Sequence, residues 1–263
     1  MRAQILRLLS KRINSKLVAS CVTSLLLAVT QAALAEYKQP PDQRPPSGYS
    51  QSTATRGICD QSVEGPPLTV LAPHKHVGQT ASFHPTFAWF VPGSRPFPME
   101  FTLHEYVPGT QRKLTQKMKI SLQSSPGIMK LSLPEDKPGL IRGKRYLWQV
   151  AIFCNPNYPS KDLVANAEIE VVETPPDLKR QLSTTRDRLE MADRYARAGL
   201  WYDALREALG PAEDFRLGAV ASKLLEDLAK LEQPERTQDK STHSDNLRQI
   251  AISKQQQGSS AFE

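Results

Sequence analysis

Histidines offer the most direct chemistry in this sequence, because neutral imidazoles bind metal ions. His74 and His76 flank Lys75, and His84 and His104 follow within the next thirty residues or so. A zinc site needs three or four ligands in fixed geometry, and the chain contains neither Cys-x-x-Cys nor His-Glu-x-x-His. The charge of Lys75 would also oppose a dication. We therefore predict solvated loop histidines, no metal site and no cofactor.

Signals for nucleophilic or acid–base catalysis are equally weak. No convincing Gly-x-Ser-x-Gly or Ser-x-x-Lys pattern occurs, and the serines beside Gly93 and Gly127 read as turn residues. A glycosidase would need two carboxylates at a fixed separation, and that separation is a property of the tertiary structure. We predict that the protein is not an enzyme, and a cell-wall-directed hydrolase with an unrecognised site stays open as the alternative. The acids available in or beside the predicted strands are Glu100, Glu105, Glu135 and Asp136.

Cys59 and Cys154 are the only cysteines beyond residue 35. An even pair in an oxidising compartment predicts a disulfide, and closing so long a loop would stabilise the fold by about 4 to 5 kcal/mol. The alternative is two unrelated thiols, with Cys154 packed at the end of a strand as a small apolar residue.

The segment directly after Cys154 is the most promising surface feature. Residues 155–159 read Asn-Pro-Asn-Tyr-Pro, which displays an aromatic ring on a stiff loop between two predicted strands. Such loops serve as binding tips, so Asn155, Asn157 and Tyr158 are our candidate partner-binding residues. The alternative is that the prolines only shape a long turn and prevent edge pairing.

The first 35 residues resemble a cleavable export signal. Basic residues reach Lys16, an apolar stretch fills residues 17–34, and Ala33-Leu34-Ala35 fits signal peptidase, so we place cleavage after Ala35. A membrane anchor and a lipid on Cys21 are the alternatives. We predict a periplasmic or secreted protein without an integral membrane segment after cleavage.

Charge argues against a nucleic-acid partner. The formal net charge of the whole chain is +7, from 34 basic and 27 acidic residues. Five of the basic residues lie in the leader, so removing it leaves 29 against 27, a net charge of +2. A nucleic-acid-binding domain usually carries a stronger basic footprint.

A β-rich domain follows a polar segment. Residues 36–58 are rich in Pro, Gln and Ser, which predicts a disordered linker. From Leu68 onward, short runs alternate apolar with polar residues and are separated by turn residues. Without intervening helices to supply parallel crossovers, these runs predict an antiparallel β-sandwich. The seven runs are residues 68–71, 86–91, 99–106, 113–122, 128–133, 145–154 and 164–172.

The hydrophobic period changes to that of helices near Thr174. Thr174 should cap a first helix that runs to Gly199, a second should span residues 200–209, and a third about residues 213–232. The first two resemble one tetratricopeptide hairpin, whose small and aromatic residues we interpret as packing residues. They are Ala192, Tyr195, Gly199, Trp201 and Ala204.

Three sequence stretches carry the resemblances to known families. PTFAWFVP and RYLWQVAIFC resemble strands of fibronectin type III or immunoglobulin-like domains. Together with RYARAGLWYDAL they resemble domain-of-unknown-function family 928, exported proteins common in cyanobacteria, over about residues 59–231. This resemblance implies the domain layout and no activity.

The chain is therefore predicted to be an α+β protein in five segments. We expect a signal peptide at 1–35, a linker at 36–58, a β-sandwich at 59–173, a helical segment at 174–232 and a disordered tail at 233–263. The predicted function is a non-catalytic extracytoplasmic interaction protein that binds an envelope or secreted partner. A polysaccharide-binding module is a further alternative, with Tyr106 and Phe153 as its aromatic platform.

Overall fold

The computed structural model describes residues 36–47, 59, 65–107, 113–210, 217–234 and 243–259, with side chains described only up to residue 252 in the last range. The predicted leader, with Cys21 and the cleavage site at Ala35, lies outside these residues, as do residues 48–58 of the predicted linker. Among the helices described, none combines the length and apolar character needed to cross a membrane.

Within the described residues, eight strands form two sheets and α-helices follow them, so the α+β class is confirmed. The smaller sheet has the order β1-β3-β6 and the larger the order β2-β8-β7-β4-β5. Seven of the strands coincide with predicted runs, apart from shifts at their ends. The strands are β1 (Thr69–Val70), β2 (Gly78–Thr80), β3 (Thr86–Val91), β4 (Pro98–Tyr106), β5 (Leu114–Gln123), β6 (Gly127–Ser132), β7 (Arg145–Ile152) and β8 (Leu163–Val171).

Strand β2, which matches none of the predicted runs, makes the larger sheet mixed. It pairs in parallel with β8, whereas every other pair is antiparallel, so the prediction of a purely antiparallel sandwich is wrong at this edge. With only three residues, Gly78 to Thr80, it is too short to show an alternating pattern. Gly78 is required there because a Cβ at this position would lie 2.6 Å from Cε2 of Tyr202.

The two sheets pack face to face through aromatic side chains. Phe87 and Trp89 project from β3, and Phe101 and Trp148 project from β4 and β7. The ring centroid of Phe87 lies 5.1 Å from that of Phe101 and 5.0 Å from that of Trp148. All four rings are fully buried. Aromatic pairs at this spacing add about 0.5–1.5 kcal/mol each beyond the burial of their area, so they anchor the core.

Five α-helices follow, where the sequence predicted three. The predicted first helix is divided in two, and one helix lies in the segment predicted to be a disordered tail. The helices are α1 (Pro176–Leu182), α2 (Arg188–Arg197), α3 (Trp201–Leu209), α4 (Ala219–Leu231) and α5 (His243–Ser259).

Local capping explains the break between α1 and α2. Asp187 accepts hydrogen bonds from the backbone N–H groups of Leu189 and Glu190, which makes it the N-cap of α2. Helix α1 begins at Pro176 with Pro175 as its N-cap, so the cap predicted from Thr174 is wrong. A strong cap inside an otherwise periodic stretch starts a new helix.

The predicted tail contains a helix because it carries an apolar stripe. Leu247, Ile250 and Ala251 stand at helical spacing and are fully buried. Ser244, on the first turn of α5, donates a hydrogen bond to the carbonyl of Ala229 in α4. The prediction of disorder is therefore wrong for residues 243–252, whose buried contacts are with α4 and β1.

The first part of the predicted linker, residues 36–47, is packed against the domain. Tyr37 is buried and its ring meets Trp201 edge-to-face at 4.8 Å. The backbone N–H of Lys38 donates to the carbonyl of Ala196, and that of Val77 donates to the carbonyl of Arg44. For these residues the prediction of a disordered linker is wrong, because one aromatic side chain and backbone pairing offset the polar composition.

Helix α3 seals one edge of the sandwich. Its first three residues, Trp201, Tyr202 and Asp203, are fully buried. Tyr202 reaches the aromatic core, where its ring centroid lies 5.9 Å from that of Phe87. The helical hairpin therefore serves as packing, as its small and aromatic residues indicated.

Candidate functional site

A groove opens beside β5, at the opposite edge of the larger sheet from β2. It has a volume of about 700 Å³ and lies between the inner face of β5 and the chain after β6, residues 134–141. We refer to it as the β5 groove. Such volumes are typical of ligand sites. Its apolar lining includes Leu103, Met118, Ile120, Leu140, Ile141 and Tyr146.

The sheet architecture explains why apolar side chains remain accessible in this groove. β5 alternates Lys117 and Lys119 with Met118 and Ile120, which places the apolar pair on the inner face. The smaller sheet has three strands against five, so it cannot cover the whole inner face of its partner. Met118 and Ile120 are consequently half-buried, and Ile141 is 52% exposed.

A charged cluster lies at one end of the groove. The buried carboxylate of Glu105 forms ion pairs with Lys117 at 2.9 Å and with Lys144 at 2.5 Å. The register of β4 and β5 shifts between Leu103 and His104, and the shift falls at Lys117. Hydrogen bonds from Lys144 and Lys117 lower the pKa of Glu105. Two ammonium groups around one carboxylate leave an excess positive charge beside an apolar surface.

Sequence reasoning identified the alternation in β5 but not the groove. In the sequence, Lys117 and Lys119 alternate with Met118 and Ile120, which indicates a strand with one solvated and one packed side. Ile141 lies in a turn region without any period, and no pattern places it near β5. One feature of the sequence could have indicated an accessible inner face. The β5 sequence LTQKMKISLQ has fewer aromatic side chains at its alternate positions than β4 and β7 have.

The predicted binding loop is ordered and exposed. Tyr158 is 56% exposed, and the ammonium of Lys161 lies 5.2 Å from its ring centroid. The Asn155 side chain accepts a hydrogen bond from the backbone N–H of Asn157 at 2.9 Å. Asn155 and Asn157 therefore shape the turn that displays Tyr158. Nothing in this arrangement brings the loop residues into contact with the groove lining.

The predicted disulfide between Cys59 and Cys154 is present. It joins residues 95 positions apart, with Cα atoms separated by 5.0 Å. The N–H of Cys154 also donates to the Asp162 carboxylate at 3.0 Å. The bridge therefore fixes the chain at the base of the Asn155–Tyr158 loop.

His74, His76 and His243 occupy packed positions, so the prediction of solvated loop residues is wrong for His74 and His76. His76 is buried, and its Nε2 lies 2.8 Å from the hydroxyl of Tyr37. His74 stacks on His243 with ring centroids 3.6 Å apart. Burial lowers the pKa of His76 to about 4 and that of His243 to about 4, so both rings are neutral in the fold. Within the described part of the chain, no three His, Cys, Asp or Glu residues are grouped to hold a metal ion.

The candidate acids from the sequence are held in ion pairs or lie on the surface. Glu100 pairs with Lys119 at 2.6 Å, and Asp136 pairs with Lys137 at 3.5 Å. Glu135 is exposed. Glu100 and Glu105 therefore link β4 to β5, and none of the ion pairs described for these acids joins two carboxylates.

The predicted aromatic platform for polysaccharides is only partly exposed. Phe153 is 38% exposed, but Tyr106 is half-buried and donates a hydrogen bond to the carboxylate of Glu168. The same carboxylate accepts the backbone N–H of Ser47 at 2.7 Å, so the chain near residue 47 lies close to Tyr106. Tyr106 is thus engaged inside the protein.

One family model matches this chain. Its description is Domain of Unknown Function (DUF928), and the match covers residues 51–247, which include the sandwich, the groove and most of the helices. A search of curated proteins finds no match. Since the matched region exceeds half of the sequence, the chain belongs to the DUF928 family.

Proposed function

We propose that this protein is a non-catalytic extracytoplasmic interaction protein that binds a polypeptide partner through the β5 groove. The observation that carries the proposal is the groove itself, which combines a half-buried apolar floor with an exposed Ile141 at its wall. Exposed apolar surface rimmed by polar groups is characteristic of interaction sites. The lysines around Glu105 add selectivity for the charge of the partner.

The bonding of the buried acids supports binding over turnover. Asp203 accepts from the N–H of Ala81, and Glu232 accepts from the N–H groups of His74 and Lys75. Glu168 holds Ser47 and Tyr106. Each of these carboxylates is buried and joins distant segments of the chain through hydrogen bonds, which supports a structural role over the substrate contact that a catalytic acid needs.

The strand arrangement supports a relationship to immunoglobulin-like and fibronectin type III domains. One sheet contains β1, β3 and β6. In the other sheet β7, β4 and β5 are neighbours in that order, as in sandwiches with Greek-key connections. Such sandwiches serve mainly as binding scaffolds, and this support is an analogy of fold. The parallel strand β2 and the sealing helix α3 distinguish this chain from the simplest members.

The loop bearing Asn155, Asn157 and Tyr158 is a second candidate contact. Its exposed tyrosine is held by a turn and by the disulfide at Cys154, so little conformational entropy would be lost on binding. A rigid, exposed aromatic ring is a common anchor in protein interfaces.

The extracytoplasmic location is supported by the apolar leader and by the disulfide. Both features are expected of an exported chain. We expect N-terminal sequencing of the protein, expressed with its own leader, to begin at Glu36. A chain that retains Met1 and stays in the cytoplasm would contradict the proposed location.

The binding proposal is tested by variants used as bait. The full chain, its Ile141→Asp variant and its Tyr158→Ala variant are each used to capture partners from an envelope fraction, with Leu189→Asp as the control. Leu189 is exposed to the same degree as Ile141 but lies on α2. Loss of a specific partner with Ile141→Asp alone assigns binding to the groove, and loss with Tyr158→Ala alone assigns it to the loop. Retention of the partner by every variant contradicts both sites.

Release of soluble sugars or peptides from cell-wall polymer by the purified chain would favour the hydrolase alternative.

A further inference from the structure

We propose that the β5 groove binds an extended, acidic segment of a partner protein, which adds to β5 as a sixth strand of the larger sheet. This inference rests on the proposed function and specifies the shape and the charge of the partner. It follows from three properties of the same edge: a strand that pairs on one side only within the described residues, an apolar groove beneath it, and an excess of lysines at its rim.

The first property is an available backbone. β5 stands at the end of the order β2-β8-β7-β4-β5, and its pairing in the described structure is with β4. Its ten residues, Leu114 to Gln123, make it the longest strand in the described structure. The backbone groups on its far side can therefore accept a ladder from another extended chain.

The second property is the fit between an added strand and the groove. A strand beside β5 would direct alternate side chains toward the inner face, at the same level as Met118 and Ile120. That space is bounded on its other side by Leu140 and Ile141. Apolar side chains at every second position would cover these residues, and the intervening side chains would face solvent on the outer surface with Lys119.

The third property is charge. Lys117 and Lys144 share the single carboxylate of Glu105, so this end of the groove carries one uncompensated positive charge. Lys137 also lines the groove, but its charge is balanced by Asp136 at 3.5 Å. The intervening acidic side chains of the incoming segment would lie on the outer face with Lys119, and those near its end would come within reach of Lys117 and Lys144. Basic side chains at these positions would be repelled.

The same lysines disfavour a second copy of this chain as the occupant. Antiparallel pairing of two β5 strands around their centres would bring Lys117 and Lys119 of one copy close to the same residues of the other. Like charges facing each other across strands are destabilising. Lysines on a sheet edge thus prevent self-association and leave the edge open to an acidic segment.

Two synthetic peptides test the inference. A fluorescein-labelled peptide Thr-Val-Glu-Val-Glu-Val-Thr-Val carries alternating apolar and acidic residues, and its counterpart has lysine in place of glutamate. We expect fluorescence anisotropy with the full chain at low salt to show binding of the acidic peptide at least about tenfold tighter than binding of the lysine peptide. Hydrogen exchange should slow at β5 amides when the acidic peptide is bound.

Variants with matched controls test separately how the groove wall and the lysines contribute to peptide binding. Ile141→Asp should weaken binding of the acidic peptide about tenfold or more, and Leu189→Asp should leave it unchanged. Lys117→Gln leaves Glu105 paired with Lys144 and should weaken binding about fivefold, whereas Lys161→Gln should have no effect. All four positions are exposed, so circular dichroism should show unchanged folding.

Each outcome supports or overturns a defined part of the inference. Equal affinity for the two peptides, or no effect of Lys117→Gln, overturns the acidic partner. Binding that is lost with Ile141→Asp but leaves exchange at β5 unchanged overturns strand addition and keeps the groove as an interaction site. Failure of the proposed function is distinct, because it requires that a captured envelope partner also binds the Ile141→Asp variant unchanged.

Discussion

The two edges of the β-sandwich are finished in different ways. At the edge that contains β2, the side chains of α3 form bonds to the backbone of the sheets. Trp201 donates to the carbonyl of Leu71 at 2.9 Å, and Asp203 accepts from the N–H of Ala81 at 2.8 Å. Tyr202 accepts from the Trp148 indole and donates to the carbonyl of Glu168. Buried polar groups with complete bonding stabilise a fixed arrangement.

The edge that contains β5 is left partly open. Met118 and Ile120 are half-buried, and Ile141 is exposed beside them. Its polar contacts are ion pairs of lysines that reach into solvent, and such pairs contribute little to stability. The comparison indicates that stability is concentrated at the α3 edge, whereas the β5 edge leaves apolar surface accessible to solvent.

The largest expected effect on stability comes from removing the Tyr202 side chain at the α3 edge. Tyr202→Ala removes a fully buried ring that packs against Phe87 and Trp148, so we expect the free energy of unfolding to fall by about 3–5 kcal/mol. Urea unfolding followed by tryptophan fluorescence measures the change. Tyr202→Phe keeps the ring and loses two hydrogen bonds, so it should cost about 1–2 kcal/mol. A loss below about 1 kcal/mol for Tyr202→Ala would contradict the sealing role.

Acid should weaken the sealed edge first. His76 packs beside Tyr37, which contacts α3, and burial lowers the pKa of His76 to about 4, whereas the unfolded chain has a value near 6.5. Between these values the unfolded state binds a proton that the folded state does not, so stability falls as the pH drops from 6.5 toward 4. His76→Gln should reduce that decline by about 2–3 kcal/mol in unfolding experiments at a series of pH values. An unchanged pH profile in this variant would show that His76 titrates normally in the fold.

The open edge should respond in a lower pH range and more weakly. Lys144 and Lys117 lower the pKa of Glu105 below its ordinary value of 4.5. Its stabilisation is therefore present above pH 4.5 and is lost as the pH falls through the lowered value. Glu105→Gln should reduce stability at pH 7 by no more than about 1 kcal/mol, because both lysines are solvent-accessible and salt screens the pairs. A larger loss, insensitive to salt, would mean that this edge also carries the stability of the fold.

The smallest expected effect on stability separates the two edges most clearly. Ile141→Asp changes an exposed side chain, so we expect the free energy of unfolding to change by less than about 0.5 kcal/mol. The same variant is expected to lose binding. Thermal unfolding of this variant beside Leu189→Asp provides the comparison. A clear fall in melting temperature for Ile141→Asp alone would show that Ile141 serves packing.

Long alternating runs were the part of the fold that could be predicted from the sequence. Phe87 and Trp89 in β3, and Trp148 in β7, share the inner face that their period-two spacing indicated. The disulfide between Cys59 and Cys154 could be predicted because only two cysteines follow the leader. The hairpin of α2 and α3 was recognisable because Gly199, with a positive φ of 79°, ends one helical period before the next begins.

Short or polar segments were missed because distant contacts order them. β2 has three residues and exists because β8 and Tyr202 lie beside it. Tyr37 is buried within a proline-rich stretch because Trp201 and His76 form its site. His74 and His76 looked like loop residues, yet they are enclosed by chain segments from residues 37 and 243.

The sequence by itself determined which residues form the inner layers of the sandwich, because hydrophobic period is a local property, and it indicated Cys59 and Cys154 as the one candidate pair beyond residue 35. Only the tertiary structure decided that α3 seals one edge and that β5 leaves the other open. That outcome depends on unequal sheet widths, on contacts between residues far apart in sequence such as Tyr202 with Trp148, and on the position of Ile141 across the groove from β5. No local pattern encodes such contacts, since their free energy arises only when both surfaces are already folded.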